Sequence, residues 1–77
     1  KNIPLLEYRI QKKGRNFTLI YRWNCIEKFE MPILINNGKK NIWIIPNLSW
    51  QEYDLGNIDI EEFDFRQDLF FFKVKKQ

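Results

Sequence analysis

The sequence predicts an all-β domain, a sandwich of two antiparallel sheets built from six or seven short strands. Three observations carry that expectation. Apolar residues fall on every second position in successive segments (Leu19, Tyr21, Trp23; Met31, Ile33, Ile35; Ile42, Ile44), the period of a pleated ribbon with one face buried. Turn residues recur between these segments, at Gly14, Asn36-Asn37-Gly38 and Gly56-Asn57, at intervals that suit a sandwich. No stretch sustains a helical period long enough for an ordinary helix.

Taken in order, the first strand spans Pro4 to Gln11, with Leu6, Tyr8 and Ile10 on one face and Glu7, Arg9 and Gln11 on the other. Lys12-Lys13-Gly14-Arg15 is a polar turn, and Asn16 to Trp23 returns as a second strand with Phe17, Leu19, Tyr21 and Trp23 inward. Asn24 to Glu30 breaks the alternation and reads as a loop, with room for a short helix at most, and Cys25, Ile26 and Phe29 fold back on the core. Met31 to Ile35 and Asn41 to Pro46 flank Asn36-Asn37-Gly38-Lys39-Lys40. Asn and Gly tolerate the positive φ that tight hairpins need, so a third and fourth strand pair there. Pro32 and Pro46 lack an amide donor and belong at strand ends or on an edge.

Leu48 to Leu55 is a weaker strand around Trp50 and Tyr53, followed by the turn signal Gly56-Asn57. From Ile58 to Phe65 the apolar phase slips between Glu61 and Glu62, which a bulge or two short strands would accommodate. Leu69 to Val74 is apolar on both faces apart from one lysine, the pattern of a central or covered strand.

Seventy-seven residues make one domain. A chain this short buries only about 60% of its unfolded surface. Its 44% hydrophobic and 17% aromatic content nevertheless supplies a core without staples. One cysteine excludes an internal disulfide and leaves the compartment open, an exported or periplasmic parent included. The start at Lys1-Asn2-Ile3-Pro4, with neither initiator Met nor leader, reads as the interior of a longer protein. No apolar run approaches a membrane span. The net charge of +3 divides unevenly: residues 1 to 40 carry nine Lys/Arg against three Asp/Glu, and residues 41 to 77 carry four against seven. A basic half suits a nucleic-acid binder, but a basic strand paired with an acidic one gives the same count. The reading assigns no nucleic-acid or membrane partner.

The residue inventory narrows the chemistry. There is no histidine, which removes His-based nucleophile triads and the usual zinc sets. Cys25 has no evident base or cation beside it, and inert buried thiols are commoner than reactive ones. Gly14, Gly38 and Gly56 are isolated turn glycines rather than a phosphate loop. Glu52, Asp54, Asp59, Glu61, Glu62 and Asp64 could in principle supply oxygen ligands to calcium. Their spacing matches no calcium loop, and a solvated edge that resists sheet pairing explains them better. Trp23, Trp43 and Trp50 could stack on a sugar or peptide, although a core use is the commoner one.

The order Tyr21-Arg22-Trp23-Asn24-Cys25, Phe29-Glu30-Met31-Pro32-Ile33, Asn37-Gly38-Lys39, Trp43-Ile44-Ile45-Pro46, Trp50 resembles the last domain of bacterial gluzincin zinc aminopeptidases, the alanyl aminopeptidase family. Pro4-Leu5-Leu6-Glu7-Tyr8 resembles that domain's first strand, and Asp64-Phe65 with Leu69-Phe70-Phe71 its last. The resemblance implies an Ig-like sandwich, non-catalytic, packed against the catalytic domain of the same parent chain. Zinc would lie in that catalytic domain, on a His-Glu-x-x-His motif and a downstream glutamate. None of those positions falls in this chain, so no catalytic, metal or cofactor residue carries over. A free-standing module binding peptide or carbohydrate through exposed aromatics or an edge strand is the main alternative.

Ile20, Leu34, Trp43, Ile45 and Phe71 are out of phase with the core set. They are expected to form one exposed apolar patch, the contact to the catalytic domain, through which the excised fragment would self-associate. Contiguous apolar patches beyond a few hundred Å² are rare on free monomers.

Overall fold

A computed structural model describes residues 4–25, 31–66 and 73–77. It is an all-β arrangement of two sheets. The first sheet has four strands in the order β5-β2-β1-β7, with β1 at Leu5–Lys13, β2 at Asn16–Asn24, β5 at Gln51–Gly56 and β7 at Lys73–Lys76. The second has three in the order β4-β3-β6, with β3 at Ile33–Asn36, β4 at Asn41–Ile44 and β6 at Asp64–Phe65.

The first hairpin is longer than its alternation suggests. The two strands pair from Leu5↔Asn24 to Lys13↔Asn16, which leaves Gly14 and Arg15 as the turn. Gly14 stands first with φ +63°, as a two-residue hairpin turn with glycine in its first central position requires. Beyond the reach of β7 and β5, residues 11–16 are all exposed.

Inner positions follow the expected phase. Leu6, Leu19, Tyr21 and Trp23 from the four-stranded sheet meet Ile33, Ile35, Ile44 and Phe65 from the other, with Leu55 completing the cluster. Tyr8 reaches across the sandwich to Phe65, ring centroids 4.8 Å apart and edge-on, and Phe63 meets the same ring at 5.1 Å. Cys25 packs against this cluster as a partly buried thiol. Pro46 is fully buried just after β4, and Pro32 immediately precedes β3, so both stand at strand ends where a missing amide costs no ladder bond.

The β3–β4 turn forms where expected, but for a different reason. No residue other than glycine has positive φ among the described residues. Gly38 alone takes it, at +96°. The asparagines act through their side chains: Asn36 Oδ1 accepts from Gly38 N at 2.7 Å, and Asn37 Oδ1 accepts from Lys39 N and Lys40 N at 2.9 and 3.0 Å. These oxygens satisfy amides that the tight turn withdraws from the ladder.

Three expectations are corrected. The sheets are not wholly antiparallel, because β7 runs parallel to β1, from Leu5↔Lys73 to Tyr8↔Lys76. Alternation specifies which face a side chain takes, not the direction of the neighbouring strand. The described part of the last strand is also an edge of its sheet, not a centre; Leu69 to Phe72 lie outside the described residues. Finally, the phase slip at Glu61-Glu62 is a single 3-10 turn over Ile60–Glu62, capped by Asp59 Oδ1 accepting from Glu61 N at 3.1 Å. The bulge sits earlier, where β2 and β5 shift register between Phe17↔Gly56 and Thr18↔Asp54. Leu55 is the extra residue, and it turns into the core.

Candidate functional site

The four described residues of the five expected to form one apolar contact do not share a face. Ile20 lies on the outer face of the four-stranded sheet, opposite in phase to Leu19 and Tyr21. Leu34 and Trp43, cross-strand partners, lie on the outer face of the three-stranded sheet, and Ile45 follows directly after the end of β4 at Ile44. The sandwich core separates the two groups. Burial also divides them: Ile20 and Leu34 are 4% and 8% exposed, whereas Trp43 and Ile45 each show 59% of their surface. Phe71 lies outside the described residues. A single five-residue patch is therefore replaced by a smaller strip, Trp43 and Ile45 beside Leu34.

Ile20 is covered by a polar–aromatic layer. Its cross-strand partner is Arg9, and Arg22 stands two residues along the same face of β2. The Arg9 guanidinium carbon lies 5.3 Å from the centroid of the Trp50 ring and that of Arg22 4.5 Å. Both distances are within the range of cation–π attraction. The loop after β4 brings Trp50 there: Asn47 O accepts from Trp23 N at 2.8 Å, and Gln51 Oε1 accepts from Asn47 N at 2.6 Å. Trp50 keeps 40% of its surface in solvent.

Next to this layer lies a buried carboxylate. Glu7 is 7% exposed, and its Oε1 accepts from Arg22 Nε at 2.9 Å, with Arg22 Nη2 at 2.8 Å. Its other oxygen, Oε2, accepts from Asn24 Nδ2 at 3.1 Å. The hydrogen-bonded Arg22 guanidinium holds the carboxyl below its ordinary range, against the opposing effect of burial; Asn24 and the positive field of Lys75 act in the same direction as Arg22. Glu7, Arg22 and Asn24 thus form a satisfied structural unit. In the core, burial pushes the Tyr21 phenol upward, so it stays protonated through neutral pH.

Among the described residues no three of His, Cys, Asp and Glu converge on a point that could hold a metal ion. The acidic residues from Glu52 to Asp64 are spread over β5, the 3-10 turn and β6. No helix among the described residues is long and apolar enough to cross a membrane. No protein family, curated protein or solved structure matches the chain.

The Arg9–Trp50–Arg22 layer escaped the sequence reading, although a signal was present. Arg9 and Arg22 both fall on the outward phase of the first hairpin, and an arginine-bearing face opposite an apolar one invites an aromatic cover. What sequence could not supply was the path of the β4–β5 loop.

Proposed function

We propose that this domain is a non-catalytic structural module, an Ig-like sandwich that closes a zinc aminopeptidase chain and packs against its catalytic domain. The observation that carries the reading is the strip on the outer face of the three-stranded sheet. Two large apolar side chains, Trp43 and Ile45, are each more than half exposed beside Leu34. An exposed tryptophan on a short edge strand and an exposed isoleucine just past its end are poorly explained by the domain's own stability, because they leave most of their apolar surface in water. Burial against a neighbouring domain accounts for them. The order of motifs along the chain supplies the identity of that neighbour.

The chain's part in the parent is mechanical. It contributes no zinc ligand and no acid or base; the metal and the peptide chemistry belong to the catalytic domain. The free-standing alternative, a peptide- or carbohydrate-binding module, draws on the exposed Trp50 as well as Trp43.

Reading the parent sequence upstream of Lys1 tests the assignment. A His-Glu-x-x-His motif followed by a glutamate is the expected result, and a parent without it removes the peptidase reading. Sedimentation velocity tests the surface: the isolated chain should associate as concentration rises, and Trp43→Lys should reduce association without unfolding it. A wild type that stays monomeric at millimolar concentration would argue against a cut interface.

A further inference from the structure

We propose that Arg9 and Trp50 form a binding site for an acidic peptide segment, one carboxylate beside an apolar side chain, on the outer face of the four-stranded sheet. This face lies on the opposite side of the sandwich from the Trp43–Ile45 strip, so the inference does not depend on the inter-domain reading.

The two arginines that flank Trp50 are unequal. Arg22 is committed: its Nε and Nη2 both engage Glu7 Oε1. Arg9, on the same face and also near the indole, forms no ion pair among the described residues. The carboxylate two positions away along β1, Glu7, is already engaged by Arg22 and Asn24. Glu52 stands on the far side of Ile20, being the β5 partner of that residue as Arg9 is the β1 partner. An arginine held against an aromatic ring loses rotamer freedom but keeps its N–H fork available, which suits it to take a carboxylate bidentately.

The second half of the site is the indole, 40% exposed. Its free surface gives an apolar group a place to pack next to the carboxylate bound at Arg9. Charge favours the same occupant. On this face β1, β2 and β7 carry Arg9, Lys13, Arg22 and Lys75 around the carboxylate Glu7, whereas the other two carboxylates of the face, Glu52 and Asp54, are gathered on the opposite edge strand, β5. An incoming acidic segment is therefore drawn to the β1 side and kept from the β5 edge. Arg9 contributes the charged hydrogen bonds, Trp50 the apolar contact, and the Glu7–Arg22–Asn24 unit holds the surrounding strands in register.

The test is a titration of the isotopically labelled chain with the blocked peptide acetyl-Leu-Glu-Leu-amide, followed by NMR at the Trp50 indole N–H and the Arg9 Nε–H. The parallel arms use the same peptide with Gln for Glu, and inorganic phosphate. The proposal expects saturable shifts at both groups. Affinity should fall at least tenfold for the Gln peptide and at least tenfold for Arg9→Gln, and should be unchanged for Lys39→Gln, an exposed lysine in the β3–β4 turn of the other sheet. Arg9→Lys should recover only part of the loss, because it restores charge without the fork. Equal binding of the Gln peptide, or unaltered binding by Arg9→Gln with its spectrum otherwise intact, overturns the site. Phosphate shifting the same groups as tightly as the peptide overturns the peptide assignment, since a bare oxyanion would then suffice.

Discussion

Trp23→Ala is the substitution that most directly probes how this sandwich holds together. Trp23 is 1% exposed, sits opposite Leu6 in the β1–β2 register and belongs to the cluster that joins the two sheets. A buried tryptophan removes about 150–250 Å² from water, which at about 25 cal/mol per Å² amounts to about 4–6 kcal/mol. Measured aromatic-to-alanine changes in cores cost about 3–5 kcal/mol. A domain of this length possesses only about 4–12 kcal/mol in total, taking about 0.05–0.15 kcal/mol per residue. The variant should therefore lie close to its unfolding midpoint in plain buffer. Urea titration followed by far-ultraviolet circular dichroism measures this, with Trp43→Lys as the control. Trp43 keeps 59% of its surface in solvent, so its replacement should cost about 1 kcal/mol and leave a folded protein. At a slope of about 1–2 kcal/mol per M urea, Trp23→Ala should lower the midpoint by about 2 M or more. A Trp23→Ala midpoint within about 0.5 M of wild type, or a Trp43→Lys loss as large as that of Trp23→Ala, would refute the assignment of inner and outer faces.

Further outcomes follow from the turn and the buried carboxylate. Gly38→Ala should destabilise by about 1–2 kcal/mol or more, because φ is +96° and a Cβ built there would stand 2.9 Å from Glu62 Oε1; thermal denaturation reads it, and a neutral effect would show that the turn rearranges freely. The folded-state pKa of Glu7 lies below the ordinary 4.5, so in acid the unfolded chain takes up this proton first. The stabilisation is complete above about pH 5 and is lost as pH falls through the depressed value; urea midpoints from about pH 6 to about pH 3 should fall less steeply in Glu7→Gln than in wild type. Arg22→Gln should cost about 1–3 kcal/mol by leaving that carboxylate underpaired and should raise the Glu7 pKa, read by carboxyl-carbon NMR.

The inner face was legible because its signal is redundant. Leu19, Tyr21 and Trp23 on β2, with Ile33 and Ile35 on β3, repeat one period, and slipping any one strand by a residue would expose its whole apolar set. The Asn36-Asn37-Gly38 turn was legible as a place but not as a mechanism, since the asparagines accept hydrogen bonds rather than adopt positive φ. The outer faces were the illegible part. Ile20 and Leu34 share a phase that is opposite to the core, yet they lie on different sheets and point away from each other. Periodicity assigns a residue to one side of its own strand; it does not say which sheet that strand joins. The parallel pairing of β7 with β1 escaped for a related reason, since a strand's composition does not set the direction of the strand beside it.

The division of charge shows how pairing and partner preference are linked here. A basic first half facing an acidic second half would be self-neutralising if the strands matched cation to carboxylate. They do not. On β5, Glu52 stands opposite Ile20 and Asp54 opposite Thr18. Among the described residues the ion pair that forms, Arg22 with Glu7, joins two residues of the basic half and leaves that half's excess unchanged. Lys12, Lys13 and Arg15 project on the exposed hairpin end, with Lys12 over the Phe17 ring at 5.9 Å. Arg9, with no ion pair among the described residues, stands beside Trp50 lower on the same ribbon. Of the ribbon's cations, Arg9, Lys13 and Arg22 take the outward phase, along a surface whose aromatic residue is partly bare. A partner that meets this ribbon gains most by bringing carboxylates to it, and an acidic polypeptide with an apolar side chain for Trp50 satisfies both halves of that requirement at once.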